Sequence, residues 1–343
     1  METPVIASED VTRLTAIELC AGAGGQAIGL ESAGFHHVAL VELDPGPCAT
    51  LRANRPRWPV IEADLRFFDA KPFAGVDLVA AGVPCPPFSK AGKQLGADDE
   101  RDLFPEVLRI VRETRPRAVM IENVRGLLDE RFADYRTAYM RSMRALDYVV
   151  YGWRLLQASH FGVPQLRPRA IFVAIRADQK GIFEWPRPAS APPPTVGDVL
   201  LQPMSSKGWR KAKAWARGAT KLAPTLVGGS KKHGGPDLGP TRARNAWLQL
   251  GVNGCSLAEE PPARDFEGLP RLTVQMAAMI QGFPKEWVFS GKKTTAYRQV
   301  GNAFPPPVAN AIGLALRATL EGRRTRPRQK MVVPEQRKLD AVA

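Results

Sequence analysis

Residues 14–33 read LTAIELCAGAGGQAIGLESA, and their order decides the fold. The apolar run over 14–20 reads as a buried strand, Ala21-Gly22-Ala23-Gly24-Gly25 as a turn, and 26–33 as a helix. In open α/β sheets a ligand sits outside the carboxyl end of such a strand. Glycines there allow positive φ and close approach to the backbone, and the following helix presents free amides. Many strand-turn-helix joints carry glycine for packing alone, so the turn needs partners before it counts as a site.

Working outward, strand-like stretches recur at 37–41, 76–81 and 118–122, with helical patterns at 46–54, 104–114 and 135–146. The alternation predicts an α/β fold: a doubly wound, mostly parallel sheet. Two further strands, 149–159 and 170–175, read as an antiparallel pair closing it. PRPASAPPPT at 186–195 marks a change of composition, and 186–270 reads as a separate, small, loop-rich domain. Helical pattern returns at 272–280 and 308–320. The expected division is 1–185, 186–270, a return to the first domain over 271–321, and a basic, disordered tail over 322–343.

Forty-eight Lys+Arg against 34 Asp+Glu give a formal charge of +14, which favours a polyanionic partner without naming one. The four cysteines, Cys20, Cys48, Cys85 and Cys255, form no CxxC pair, which argues against disulfides and zinc. No apolar run approaches the ~20 residues that cross a bilayer, and METPVIASEDVTR has no signal-peptide core. A soluble, cytoplasmic protein is expected.

Two carboxylates join the glycine turn. Glu42 ends the second strand and Asp64 follows the third. The first could accept from both hydroxyls of a ribose, the second from an adenine amino group. Each acid alone reads equally as a solvated loop residue; together they describe a site for an adenosine-containing ligand. The turn lacks the third glycine of GxGxxG, which disfavours NAD and leaves S-adenosylmethionine open.

The chemistry lies at the next strand ends. GVPCPPFSKAGKQ at 82–94 leaves the fourth strand as a loop, in which prolines flank Cys85 and hold its thiol out of a core strand. The commoner fate, a buried structural cysteine, is assigned to Cys20, Cys48 and Cys255. Glu122 ends the next strand, so a thiol and a carboxyl face one crevice, the pattern of a nucleophile with an acid partner. His36, His37, His160 and His233 have contexts unlike a Cys-His protease. FGVPQLRPR at 161–169 places Arg167 and Arg169 two apart, a pair for phosphate or a base carbonyl, or equally a solvated turn.

In this order the segments resemble the motifs of DNA (cytosine-5) methyltransferases of the bacterial restriction-modification type. ELCAGAGG is similar to the first motif, GVPCPPFS to the Pro-Cys motif, ENV to the acidic motif and FGVPQLRPR to the Gln-x-Arg-x-Arg motif. IQGFP at 280–284 and YRQVGNAFPPPVA at 297–309 resemble the last two. The likeness covers about residues 13–185 and 271–320. It implies the methyltransferase version of the doubly wound sheet, with 186–270 as a target-recognition domain across a cleft for double-stranded DNA.

The implied reaction extrudes a cytosine from the duplex. Cys85 attacks C6, Glu122 serves N3, and C5 takes the methyl group of S-adenosyl-L-methionine, giving S-adenosyl-L-homocysteine without a metal. Arg169 and Arg167 hold the cytosine carbonyl and nearby backbone. The cofactor pocket would comprise Cys20, Gly22, Gly24, Gly25, Glu42, Asp64, Pro84 and Asn302. DNA would meet Ser89, Lys90, Lys93, Gln94 and Gln165, then Thr225, Lys231, Lys232, Arg242 and Arg244 of the variable unit, where a solvated basic loop is the plain alternative. Trp209, Trp215 and Trp247 are read as that unit's core.

The sequence departs from the family at three places: Pro86 where glutamine is usual, Glu18-Leu19-Cys20 for Asp-Leu-Phe, and Phe304 for a small aliphatic residue. A tRNA cytosine-5 methyltransferase and a catalytically silent DNA-binding regulator remain as rivals; the long variable unit favours duplex DNA, and the retained Cys85, Glu122, Arg167 and Arg169 favour catalysis. A monomer is expected, since one recognition unit can read a site alone. The target sequence, and whether a cognate endonuclease shares it, are left open.

Overall fold

A computed structural model describes residues 13–84, 102–228, 235 and 237–322. Its centre is a sheet of seven strands in the order β3-β2-β1-β4-β5-β7-β6. Strand β1 (Thr15–Leu19) pairs in parallel with β2 (His36–Glu42) on one side and β4 (Leu78–Ala81) on the other. Strand β3 (Val60–Glu62) extends the first side and β5 (Ala118–Val124) the second, both in parallel. The chain thus changes direction of travel between β1 and β4, which opens a crevice above their carboxyl ends.

The expected antiparallel pair closes the sheet as β6 (Tyr148–Gln157) and β7 (Pro168–Arg176). Strand β7 inserts between β6 and β5 and runs antiparallel to both. This reversal brings the start of β7 to the finish of β5, with Arg169 opposite Val124 and Ile171 opposite Glu122. A parallel β7 would have left Arg169 at the far end of the sheet.

Apolar residues fill both faces of the central strands, as a sheet covered on both sides requires. Ile17, Val79, Ile121 and Phe172 pack under α3 (Phe104–Thr114) and α4 (Ala133–Ala145). Ala16, Ala80, Met120 and Val173 form the opposite face with α10 (Pro306–Leu320). Helix α1 (Gly25–Ser32) lies against α10 through small residues: a Cβ at Gly29 would come within 2.4 Å of the Pro306 carbonyl oxygen. Helix α2 (Pro45–Asn54) is capped by Asp44, whose Oδ1 accepts from the Gly46 amide.

Residues 186–270 are more regular than expected, carrying α5 (Val196–Ser205), α6 (Ala212–Gly218) and α7 (Thr241–Leu248). Thr195 and Asp198 close a capping box where the proline-rich stretch ends. Trp209 and Trp247 are buried here, and their apolar cluster continues to Leu51, Trp287 and Tyr297 of the flanking parts. Helices α8 (Val274–Gln281) and α9 (Lys293–Asn302) then lead back to α10. Cys48 is buried as expected, whereas Cys255 is exposed, because Asn253 draws it into a surface turn by accepting from its amide. Among the described residues no helix is long and apolar enough to cross a membrane.

Candidate active site

Strand β5 carries Glu122 into the crevice, where its Oε1 stands 2.7 Å from Arg169 Nε at the start of β7. Both side chains are almost wholly buried. Burial raises the Glu122 pKa, while the positive charges of Arg169 and Arg167 pull it back. A carboxyl so placed keeps its proton to higher pH than an exposed one, while a guanidinium fixes its direction.

Next to it lies the strand end that leads to Cys85. Ile121 is level with Ala81, and a Cβ at Gly82 would come 4.0 Å from Glu122 Oε2. Asn123, fully buried, donates from Nδ2 to the Val83 carbonyl at 3.3 Å and pins the start of the loop to β5. Pro84 is exposed at its mouth. Cys85, Ser89, Lys90, Lys93 and Gln94 lie outside the described residues.

At the other side of the crevice Glu42 organises the glycine turn. Its Oε2 accepts from the Gly22 amide at 2.8 Å and its Oε1 from the Asp44 amide at 2.8 Å. Burial raises its pKa, and the backbone amides of Asp44, Gly22 and Leu43 pull it back. Gly22 (φ 54°) and Gly24 (φ 87°) are left-handed, and a Cβ at Gly22 would meet nothing within 4 Å. That open space above the backbone is what a ligand needs. Gly25 is different: a Cβ there would strike the Phe304 carbonyl oxygen at 2.2 Å, so it serves packing against the α9–α10 joint.

Cys20, also left-handed at φ 55°, has its thiol pKa pushed up by burial and then by Glu42 and Asp64, so the three share one locality. Asp64 itself is held below its usual range by Arg66, whose Nη2 donates to Oδ2 at 2.6 Å. Arg66 Nε donates to the same carboxylate at 3.0 Å, so the pair is two-pronged, and it is exposed on the arginine side. Leu43 is exposed beside Glu42. Glycine cradle, ribose-accepting acid and second acid fit an adenosine-containing cofactor.

Gln165 and Arg167 enter a different environment. Gln165 is fully buried; its Oε1 accepts from the Leu226 amide at 2.9 Å and its Nε2 donates to Gln281 Oε1 at 2.5 Å. The expectation that it meets DNA is corrected: both ends of its amide are held inside. Arg167 is also fully buried and donates to three carbonyls, those of Leu226, Gly301 and Ala303, at 2.6, 2.8 and 2.9 Å.

Over residues 14–318 the chain matches the family of C-5 cytosine-specific DNA methylases. The chain belongs to that family. It is 52% identical over 304 residues to the Type II methyltransferase M.NgoMIV of Neisseria gonorrhoeae, covering 88% of this chain and 96% of that protein. It is 53% identical over 313 residues to the Type II methyltransferase M.NaeI of Lentzea aerocolonigenes, covering 90% and 75%. Among solved structures, Spodoptera frugiperda DNMT2 superposes with a TM-score of 0.63 at 17% identity, over 89% of this chain and 99% of that one. S. pombe Dnmt2 methyltransferase gives 0.60 at 19%, over 89% and 99%. At such identities these two speak for the fold alone.

The methylase is therefore an enzyme that acts on cytosine C5 in DNA, and membership of the family implies S-adenosylmethionine as methyl donor. Its remaining expected contacts are scattered. Arg242 is exposed near the start of α7 and Arg244 half-buried two residues on, its Nη2 donating to Thr241 Oγ1 at 3.2 Å. Thr225 donates to the Leu166 carbonyl at 2.5 Å. Asn302 is exposed at the end of α9, its Oδ1 2.6 Å from where a Gly228 Cβ would stand. Lys231 and Lys232 lie outside the described residues. Two residues escaped the sequence reading: Asn123, though it adjoins Glu122, and Gln281, though it stands in IQGFP. A buried amide beside a catalytic acid, or facing another buried amide, has no periodic signature.

Proposed function

We propose that the methylase flips one cytosine of a short, specific duplex sequence out of the helix and methylates it through a covalent bond from Cys85 to C6. The observation that carries this reading is the buried Glu122–Arg169 pair, set against the strand end that runs into Cys85. Adding the Cys85 thiolate to C6 sends the ring electrons toward N3, where the Glu122 carboxyl supplies a proton. Arg169 holds Glu122 in place and would donate a hydrogen bond to the O2 carbonyl. S-adenosylmethionine, held by Glu42, Asp64 and the glycine turn, would supply the methyl group that C5 takes, with S-adenosylhomocysteine as the product. Loss of the C5 proton to water and expulsion of Cys85 as thiolate restore the aromatic ring, and Glu122 recovers its proton from N3.

Glu42, Asp64 and the open glycine turn support cofactor binding, with Asn302 and Pro84 at its border. Residues 186–270 read as the target-recognition unit, with Arg242 and Arg244 facing DNA. One such unit supports a monomer, and the Type II relatives support a bacterial cytoplasmic enzyme. The test is transfer of labelled methyl to unmethylated genomic DNA, followed by bisulfite sequencing, with Cys85→Ala in parallel. One short methylated motif, lost in the variant, upholds the reading; transfer by Cys85→Ala overturns it.

A further inference from the structure

Arg167 sits two residues before the arginine that pairs with Glu122, yet its guanidinium faces a junction of backbones. Leu226 belongs to the segment 223–228 of the recognition unit, while Gly301 and Ala303 end α9. That segment is seated on the stretch before β7: the Ala223 amide donates to the Pro164 carbonyl at 2.9 Å, and the Leu166 amide to the Ala223 carbonyl at 2.8 Å. Gln165 and Gln281 complete the ring, the Gln281 Nε2 donating to the Ala303 carbonyl at 2.5 Å. On the far side the backbones touch, since a Cβ at Gly301 would lie 2.2 Å from the Gly228 nitrogen.

We propose that Arg167 is a positioning residue that locks the recognition unit to the catalytic domain, and that it does not touch the flipped base. This rests on the reading of 186–270 as the recognition unit of a DNA methylase. Its buried charge lies at the carboxyl end of α9, where the helix dipole favours a cation. Only a planar fork reaches three diverging carbonyls; an ammonium on a single stem bonds fewer of them at this spacing. The same joint carries Asn302 and adjoins the start of β7, so DNA held by the recognition unit arrives at a fixed height above Glu122.

The test uses the full chain with its cognate duplex, and a duplex changed at one base pair away from the target cytosine. Arg167→Lys and Gln281→Leu are compared with Arg169→Lys and wild type for kcat, KM for DNA, and discrimination between the duplexes. For Arg167→Lys the KM for DNA rises and discrimination falls, each by about tenfold, the value of one misread base pair, and kcat falls less. Gln281→Leu shows the same pattern more weakly and decides the matter if Arg167→Lys does not fold. Arg169→Lys loses kcat instead. Loss of kcat with KM and discrimination held in Arg167→Lys, or no change in either joint variant, overturns the proposal. Absence of transfer by wild type on any DNA defeats the underlying reading instead.

Discussion

Glu122 and Arg169 meet at 2.7 Å across two strands that run in opposite directions, with only about a tenth of either side chain exposed. Their attraction does not cancel the cost of burying the carboxylate, so the Glu122 pKa remains raised.

An acid with a raised pKa keeps its proton to higher pH, and the form that serves N3 is the protonated one. Activity is therefore lost as pH rises through the Glu122 pKa, and Glu122→Gln lowers kcat by about 10²- to 10⁴-fold. Arg169→Ala removes a charge that lowers this pKa, so the falling limb of the kcat–pH profile moves to higher pH while kcat drops. Linkage has the same sign: stability contributed by the protonated carboxyl is present below its unfolded pKa and lost as pH climbs through the folded one. Profiles of kcat and thermal midpoint against pH check both statements.

Glu42 accepts from Gly22 and Asp44 at the tip of β2, and in the proposed function it serves the ribose of the cofactor. Glu42→Ala removes charge-assisted hydrogen bonds and unpins the turn. The KM for S-adenosylmethionine is expected to rise by about 10- to 100-fold, with KM for DNA nearly unchanged. Calorimetric titration with S-adenosylhomocysteine measures the loss without turnover.

Gly29 marks the closest approach of α1 to α10. A valine there drives a methyl-bearing carbon into the Pro306 carbonyl and the Ala309 side chain, 2.4 and 2.5 Å away. Overpacking of this kind costs about 1–3 kcal/mol, read as a lower urea midpoint. Because α1 carries the glycine turn, cofactor affinity falls with it.

The net charge of +14 predicts steep salt dependence of DNA binding. A plot of log K against log salt should fall linearly, and Arg242→Ala should reduce its slope by about one if that side chain meets a phosphate.

The sheet was legible because buried strands and glycine turns leave local marks: β1, β4 and β5 lie where their apolar runs put them. Helix α9 left none. Thr294, Thr295 and Gly301 are poor helix formers, and burial of Ala296, Tyr297 and Val300 against distant elements holds it. The site was legible at Glu42 and Glu122 because strand ends fix where an acid points. It was misread at Gln165, since spacing shows that a polar side chain exists and not whether the fold turns it inward. The Arg167 carbonyls come from residues 59, 134 and 136 positions away, a convergence no local pattern records.

The most direct test digests DNA and tRNA to nucleosides after incubation with the enzyme and methyl-labelled S-adenosylmethionine, and identifies the labelled nucleoside by mass spectrometry. The account predicts label in 5-methyldeoxycytidine from DNA and none from tRNA. Label on the exocyclic nitrogen of cytosine, or in tRNA alone, would contradict it.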